Sequence, residues 1–75
     1  MAEGWKLRTR RPDPKGGPEL QGLVVVRVAD QGMAVALAVS RMQDAIFQVD
    51  SEASAEFFDE YDVKPGHMLV LMEGQ

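Results

Sequence analysis

Proline and glycine divide this sequence into short segments, and that division limits its possible folds more than any other feature. The stretch Arg11–Pro18 holds three of the four prolines and two of the seven glycines. Proline lacks a backbone N–H and fixes φ, so neither a helix nor a central strand can run through this stretch. We therefore predict a loop that is mobile relative to the rest of the chain.

Four segments carry the residue pattern of β-strands. Leu23–Val28 is strongly β-branched, and Ala45–Asp50 predicts another short strand. Trp5–Arg10 alternates apolar residues or Thr with basic residues, which favours an edge strand. If it does not pair, residues 1–20 form a mobile tail. His67–Glu73 is apolar on both faces, which predicts a central place in the sheet.

The segment from Met33 to Val39 has two interpretations. Large apolar residues alternate strictly with alanines, a period of two that indicates a strand. Asp30-Gln31-Gly32 supplies a turn before it, so Gly22 to Val39 is predicted to be a β-hairpin. Alanine is also the best helix former, and the alternative is an alanine-rich helix from Met33 to Phe47. The valines and the glycine-bounded turn favour the strand.

An amphipathic helix is predicted between the third strand and the last one. Asp50 or Ser51 can cap its start, and Lys64-Pro65-Gly66 ends it with a tight turn. Its apolar side chains are Ala53, Phe57 and Tyr61 at i, i+4 and i+8, with Phe58 beside them. We expect Phe57 and Tyr61 to be buried against the sheet, and Glu56 and Asp59 to be exposed.

Together these segments predict one small α+β domain. Its order is strand, loop, β-hairpin, strand, helix, strand, so one helix packs on a four- to five-stranded antiparallel or mixed sheet that can also close into a small barrel. Residues 1–20 form a basic arm and loop with a charge of +2, and residues 21–75 form an acidic body with a charge of −6.

Composition and motifs argue against several classes of function. The chain has no cysteine and one histidine, His67, so it offers no thiolate site and no His–His metal pair. None of the hydroxyl candidates, Ser40, Ser51 and Ser54, lies in a nucleophile elbow. The acidic residues do not have calcium-loop spacing. We therefore expect no enzyme activity, no cofactor and no metal. No apolar run is long enough to cross a bilayer. No secretory signal is visible and cysteine is absent, so a cytoplasmic location is predicted.

Charged residues supply the candidate binding surfaces. The predicted helix and its flanks carry an acidic face, which either keeps the protein in solution or recognises a basic protein surface. Its candidate partner-binding residues are Glu52, Glu56, Asp59, Glu60 and Asp62, in a series that also includes Asp50. The alternative surface is the basic arm, which can contact phosphates while Trp5 stacks on a base, or can simply protect a strand edge. It consists of Trp5, Lys6, Arg8, Arg10 and Arg11.

The segment Ala53 to Gly74 resembles an element of the swapped-hairpin transition regulators of the AbrB and MazE type. In that family a short helix runs into a Lys-Pro-Gly turn and an apolar strand, as Phe57–Tyr61, Lys64-Pro65-Gly66 and the following strand do here. Double-psi barrels contain the same unit. The sequence departs from the family at His67, where an acidic residue is usual, and it lacks the isoleucine-proline helix start. The resemblance implies an intertwined homodimer whose basic N-terminal strands meet DNA.

The leading functional prediction is a small non-enzymatic protein-interaction module, a regulator or inhibitor of a larger assembly that acts through the acidic face. The alternative is a dimeric DNA-binding transcriptional regulator that uses the basic arm. Salt-dependent retardation by heparin or DNA would indicate the second.

Overall fold

The computed structural model describes residues 2–74, which form a four-stranded antiparallel sheet with helices on both faces. The predicted α+β fold is confirmed, and the sheet does not close into a barrel. The sheet order is β3-β1-β2-β4. In chain order the elements are β1 Gly4–Arg11, β2 Leu20–Val26, α1 Gln31–Arg41, β3 Ile46–Ala53, α2 Ala55–Glu60 and β4 Met68–Gly74.

The predicted β-hairpin from Gly22 to Val39 is wrong, because its second half is the helix α1. The Asp30 side chain accepts a hydrogen bond from the Met33 backbone N–H at 2.9 Å and so caps the helix. Ala34 and Ala38 are fully buried and lie one turn apart. Their short side chains allow the helix backbone to lie close to β1 and β2. The alternation of alanine with larger apolar residues at Met33–Val39 therefore belongs to a helix with an alanine face and not to a pleated strand.

Strand β1 is an interior strand and not the predicted edge strand. It pairs with β2 from Trp5 to Arg11 and with β3 on its other side from Gly4 to Arg10. Leu7 is fully buried under α1, and Thr9 is 3% exposed. Residues 1–20 and 21–75 therefore contribute to the same sheet. In the loop between β1 and β2, the Gly16 N–H donates to the Asp13 carbonyl at 2.9 Å. The mobility of this loop remains a prediction.

Strand β4 is an edge strand, although its apolar faces predicted a central position. It pairs with β2 alone among the strands described, and Leu69, Val70 and Met72 remain exposed. Strand β3 occupies the other edge and pairs with β1. The central positions go to β1 and β2, because the hairpin that joins them lies beneath α1.

The helix α2 begins later than predicted and buries a different aromatic residue. Ser54, and not Asp50 or Ser51, is its N-cap, because β3 continues to Ala53. Phe58 is fully buried on the sheet face opposite α1, whereas Phe57 is half-buried and Tyr61 is 45% exposed. The predicted burial of Tyr61 is therefore wrong, and Phe57 packs against the sheet but is only partly buried.

Gly4 in β1 makes this placement of Phe58 possible. A Cβ atom at position 4 would clash with the Val26 carbonyl oxygen and would lie 2.6 Å from the Phe58 ring. Only glycine leaves space for the ring to pack over the start of β1. The α2 end of this sheet face is therefore covered, and the face near the β1–β2 loop stays open.

Candidate protein-interaction surface

The acidic surface comprises Glu52, Glu56, Asp59, Glu60 and Asp62, and all of them except Glu52 lie in the short helix α2 or directly after it. Glu52 lies in β3 opposite Trp5 of β1, and Asp62 follows the helix with a positive φ of 56°. All five residues are exposed, so the expected exposure of Glu56 and Asp59 is confirmed. Four of these carboxylates therefore belong to α2 and the turn that follows it, whereas Glu52 shares the α1 face of the sheet with Trp5.

Arg27, which follows β2, forms hydrogen bonds to Asp59 of the acidic surface and to the backbone after α2. Its Nη1 donates to Asp59 Oδ1 at 2.8 Å and to the Val63 carbonyl at 2.9 Å. Its side chain is only 12% exposed, and its guanidinium group lies 5.8 Å from the centre of the Phe58 ring. Its buried Nε makes no hydrogen bond within residues 2–74 and lies 3.9 Å from Glu3 Oε2. Asp59 therefore has a structural role, and the sequence did not indicate Arg27 as its partner.

The other four carboxylates of the acidic surface make no ion pair with any residue between 2 and 74. They remain hydrated and keep their charge available to another molecule. A salt bridge already made within the chain would have to break before either group could bind a partner. This part of the surface needs no such rearrangement.

An aromatic pair lies among these carboxylates. The Phe57 and Tyr61 rings are 5.0 Å apart, and Phe57 also meets Phe58 edge-on at 5.5 Å. Lys6 Nζ lies 4.5 Å from the centre of the Phe57 ring, so one cation already contacts this pair from the sheet side. Tyr61 extends into solvent. The spacing of Ala53, Phe57 and Tyr61 predicts a core stripe, and only the tertiary packing shows that its last residue, Tyr61, is exposed.

The arginines of the predicted basic arm are paired with carboxylates from the same chain. Arg8 Nε donates to Asp50 Oδ1 at 2.9 Å, and Arg10 lies 3.9 Å from Glu19. Arg11 makes two hydrogen bonds to Glu73, of 2.6 and 2.5 Å, and lies 3.7 Å from Asp44. The paired carboxylate lowers the net positive potential of each arginine.

Trp5, the predicted base-stacking residue, has a structural position. Its ring packs against the core beneath α1, and its Nε1 donates to the Ala29 carbonyl at 2.9 Å. Alternation along β1 separates it from Lys6, Arg8 and Arg10, which lie on the opposite face of the sheet. The structure therefore does not bring Trp5 together with these basic residues.

The open half of the sheet face contains a shallow cleft of about 410 Å³. Arg8, Arg10, Gln21, Ile46 and Gln48 line it. The side chains of Arg8 and Arg10 are 70% and 60% exposed, and an adjoining depression reaches Leu23 and Met72. This cleft has a basic rim and a mixed floor, and no local sequence pattern indicates it because residues of three strands, β1, β2 and β3, line it.

The residues considered for chemistry do not assemble into a site. His67 is exposed after the turn, and the Ser54 hydroxyl oxygen accepts from the Phe57 N–H at 3.4 Å as a helix cap. Between residues 2 and 74 no group of three metal-ligating side chains lies close enough together to hold an ion.

Comparison of the chain with protein families, with curated proteins and with solved structures found no match. Among residues 2–74, neither helix has the length and hydropathy needed to span a membrane.

Proposed function

We propose that this protein is a non-enzymatic interaction module that binds a basic segment of a partner protein through the acidic surface. The proposal rests on a difference in ion pairing between the arginines of the basic arm and the carboxylates of the acidic surface. Arg8, Arg10 and Arg11 are paired within the chain, whereas Glu52, Glu56, Glu60 and Asp62 have no ion-pair partner among residues 2–74. Lys6 and Lys64, the lysines that lie closest to α2, also make no ion pair among residues 2–74, but the four carboxylates outnumber them, so the unpaired charge near α2 is negative on balance.

Tyr61 supplies this surface with an exposed aromatic side chain that a partner can contact. Aromatic residues are enriched at the energetically important positions of interfaces, and a Lys or Arg side chain over an aromatic ring gains cation–π attraction. A basic segment that contacts Tyr61 would place its neighbouring charges near Glu56 and Glu60. By occupying such a segment, the module would regulate or inhibit a larger assembly.

The test is a titration of isotopically labelled protein with a Lys/Arg-rich peptide at low salt, followed by amide chemical shifts. We expect saturable shifts centred on α2. Replacing Glu56 and Glu60 together by Gln should weaken binding about fivefold or more, because two exposed ion pairs are lost. Asp59 is left unchanged because it anchors Arg27.

The matched control replaces the exposed Gln31 and Gln43 by Lys. It also changes the net charge by two units in the positive direction, but at the ends of α1 on the opposite face of the sheet. An equal loss of affinity in both variants would show that only net charge matters and would contradict a site at α2. Shifts confined to β1 and β2 would contradict it as well.

Binding of a nucleic acid to the cleft that contains Arg8 and Arg10 is the second candidate. The high exposure of these two arginines favours it. We expect it to be weaker, because Asp50 and Glu19 oppose phosphate at the same place. Titration with single- and double-stranded DNA, with Arg8→Gln and Arg10→Gln as the paired variant, distinguishes the two functions. Saturable, salt-dependent binding that this variant abolishes would favour the nucleic-acid function.

A further inference from the structure

Strand β4 has the composition of an interior strand and the position of an edge strand. Met68, Leu69, Val70, Leu71 and Met72 form an uncharged run, and Leu69, Val70 and Met72 are 38%, 44% and 60% exposed. An edge strand leaves a row of backbone N–H and C=O groups without strand partners, and it pairs readily with another strand when no charge protects it.

The opposite edge is protected. Strand β3 carries Asp50, Ser51 and Glu52, and its pairing with β1 shifts at a bulge beside Asp50. Charges and bulges both disfavour the approach of another strand. The pairing of β4 with β2 also shifts, beside Leu71, but the segment before that shift is regular and uncharged. The two edges therefore differ in their capacity to pair.

The hydrogen bonds at the start of β4 show which of its groups point outward. The Arg27 N–H donates to the His67 carbonyl at 2.9 Å, and pairing continues with Val26 opposite Met68 and Val25 opposite Leu69. Hydrogen-bonded positions alternate in an antiparallel pair. Leu69 therefore directs its backbone groups toward β2, and Met68 and Val70 direct theirs away from it.

We infer that β4 pairs antiparallel with β4 of a second copy of this chain, which joins two sheets into one of eight strands. A twofold axis at Leu69 places Met68 of one copy opposite Val70 of the other. Because both residues direct their backbone groups outward, each such pair can exchange two hydrogen bonds. The two Leu69 side chains meet at the axis, and the paired segments bring no like charges together.

Charge complementarity also favours a second copy. Asp62 and Lys64 border the same shallow depression as Leu69, and neither makes an ion pair with any residue between 2 and 74. With the axis at Leu69, each copy brings one carboxylate and one ammonium group to the seam. Asp62 of one copy can then face Lys64 of the other, which leaves Glu56 and Glu60 of the acidic surface for a basic partner.

The first test is the mass of the protein in solution, measured by sedimentation equilibrium over a range of concentrations. We expect wild type to reach twice the chain mass of 8.3 kDa. Leu69→Lys should remain monomeric, because two lysines would meet at the axis. Ile46→Lys is the matched control, since Ile46 is 63% exposed on the other edge, and it should dimerise like wild type.

A mixing experiment separates lost pairing from lost folding. Leu69→Lys and Leu69→Glu should each be monomeric, and an equal mixture should regain the dimer mass because opposite charges then meet. Amide exchange of wild type gives a readout without substitutions. Protection at Met68 and Val70 should rise with concentration, whereas protection along the outer edge of β3 should not.

A wild-type chain that stays monomeric up to about 1 mM would overturn the inference, since even weak specific pairing is populated there. If Ile46→Lys dissociates the dimer and Leu69→Lys does not, the contact between copies lies at the β3 edge. That result would also overturn the inference. Failure of the dimer inference would leave the proposed function untested by these variants, because Glu56 and Glu60 are unchanged in all of them.

Discussion

Phe58 is the largest fully buried side chain and packs with Val25, Ala53 and Val63 on the face opposite α1. We expect Phe58→Ala to lower the free energy of unfolding by about 3–5 kcal/mol, since it removes an aromatic ring and leaves a cavity. That loss approaches the total stability of a domain this small. Tyr61→Ala is the matched control and should cost about 1 kcal/mol or less, because the ring is 45% exposed. Urea denaturation measures both, and equal losses would contradict the assigned packing.

Also at the residue scale, Glu73 gives a prediction about pH. The hydrogen bonds from Arg11 hold the pKa of the Glu73 carboxyl below its ordinary value, and the same contact raises the pKa of Arg11. A lowered folded-state pKa adds stability above the unfolded-state pKa of about 4.3, and that stability is lost as pH falls through the folded value. The thermal midpoint of wild type should therefore exceed that of Glu73→Gln near neutral pH, and the gap should close below about pH 4. A gap that persists in acid would show that the side chain acts by packing and not by charge.

At the scale of elements, α1 depends on small side chains at its contact with the sheet. Ala38 is fully buried and Ala36 is exposed, although the two are separated by only one residue. Ala38→Leu should destabilise the protein by about 1–3 kcal/mol because it overpacks the contact. Ala36→Leu should change the free energy of unfolding by no more than about 0.5 kcal/mol. Denaturation of both variants tests the helix directly, since a strand would place positions 36 and 38 on the same face.

At the scale of the whole molecule, the four-stranded sheet requires β1, which joins β3 to β2 and β4. Strand β3 pairs with β1 alone among the described strands, so loss of β1 would separate β3 from β2 and β4. A chain that lacks residues 1–11 should therefore lose its cooperative thermal transition and its dispersed amide spectrum. If the truncated chain kept both, residues 1–11 would be a dispensable arm.

Local sequence determined the α+β class, the loop between β1 and β2 to within one residue at each end, and the approximate positions of the four strands described. These features depend on chemistry within a few residues, such as the φ of proline and the β-branching of Leu23–Val28. The acidic residues could also be located from sequence, because charged side chains remain at the surface unless they are paired.

Tertiary structure decided which strands lie inside the sheet and which faces of the helices are buried. The alternation at Met33–Val39 fits a strand or a helix with an alanine face, and only the close contact with β1 and β2 selects the helix. Tertiary structure also decides that Phe58 and not Phe57 is fully buried, because Gly4 on a distant strand provides the space that Phe58 fills. Arg8 and Asp50 are 42 residues apart, and Arg11 and Glu73 are 62 apart, so no local pattern could show that the basic arm is paired. Contacts between residues this far apart in sequence depend on how the strands are ordered, and that order is a property of the whole chain.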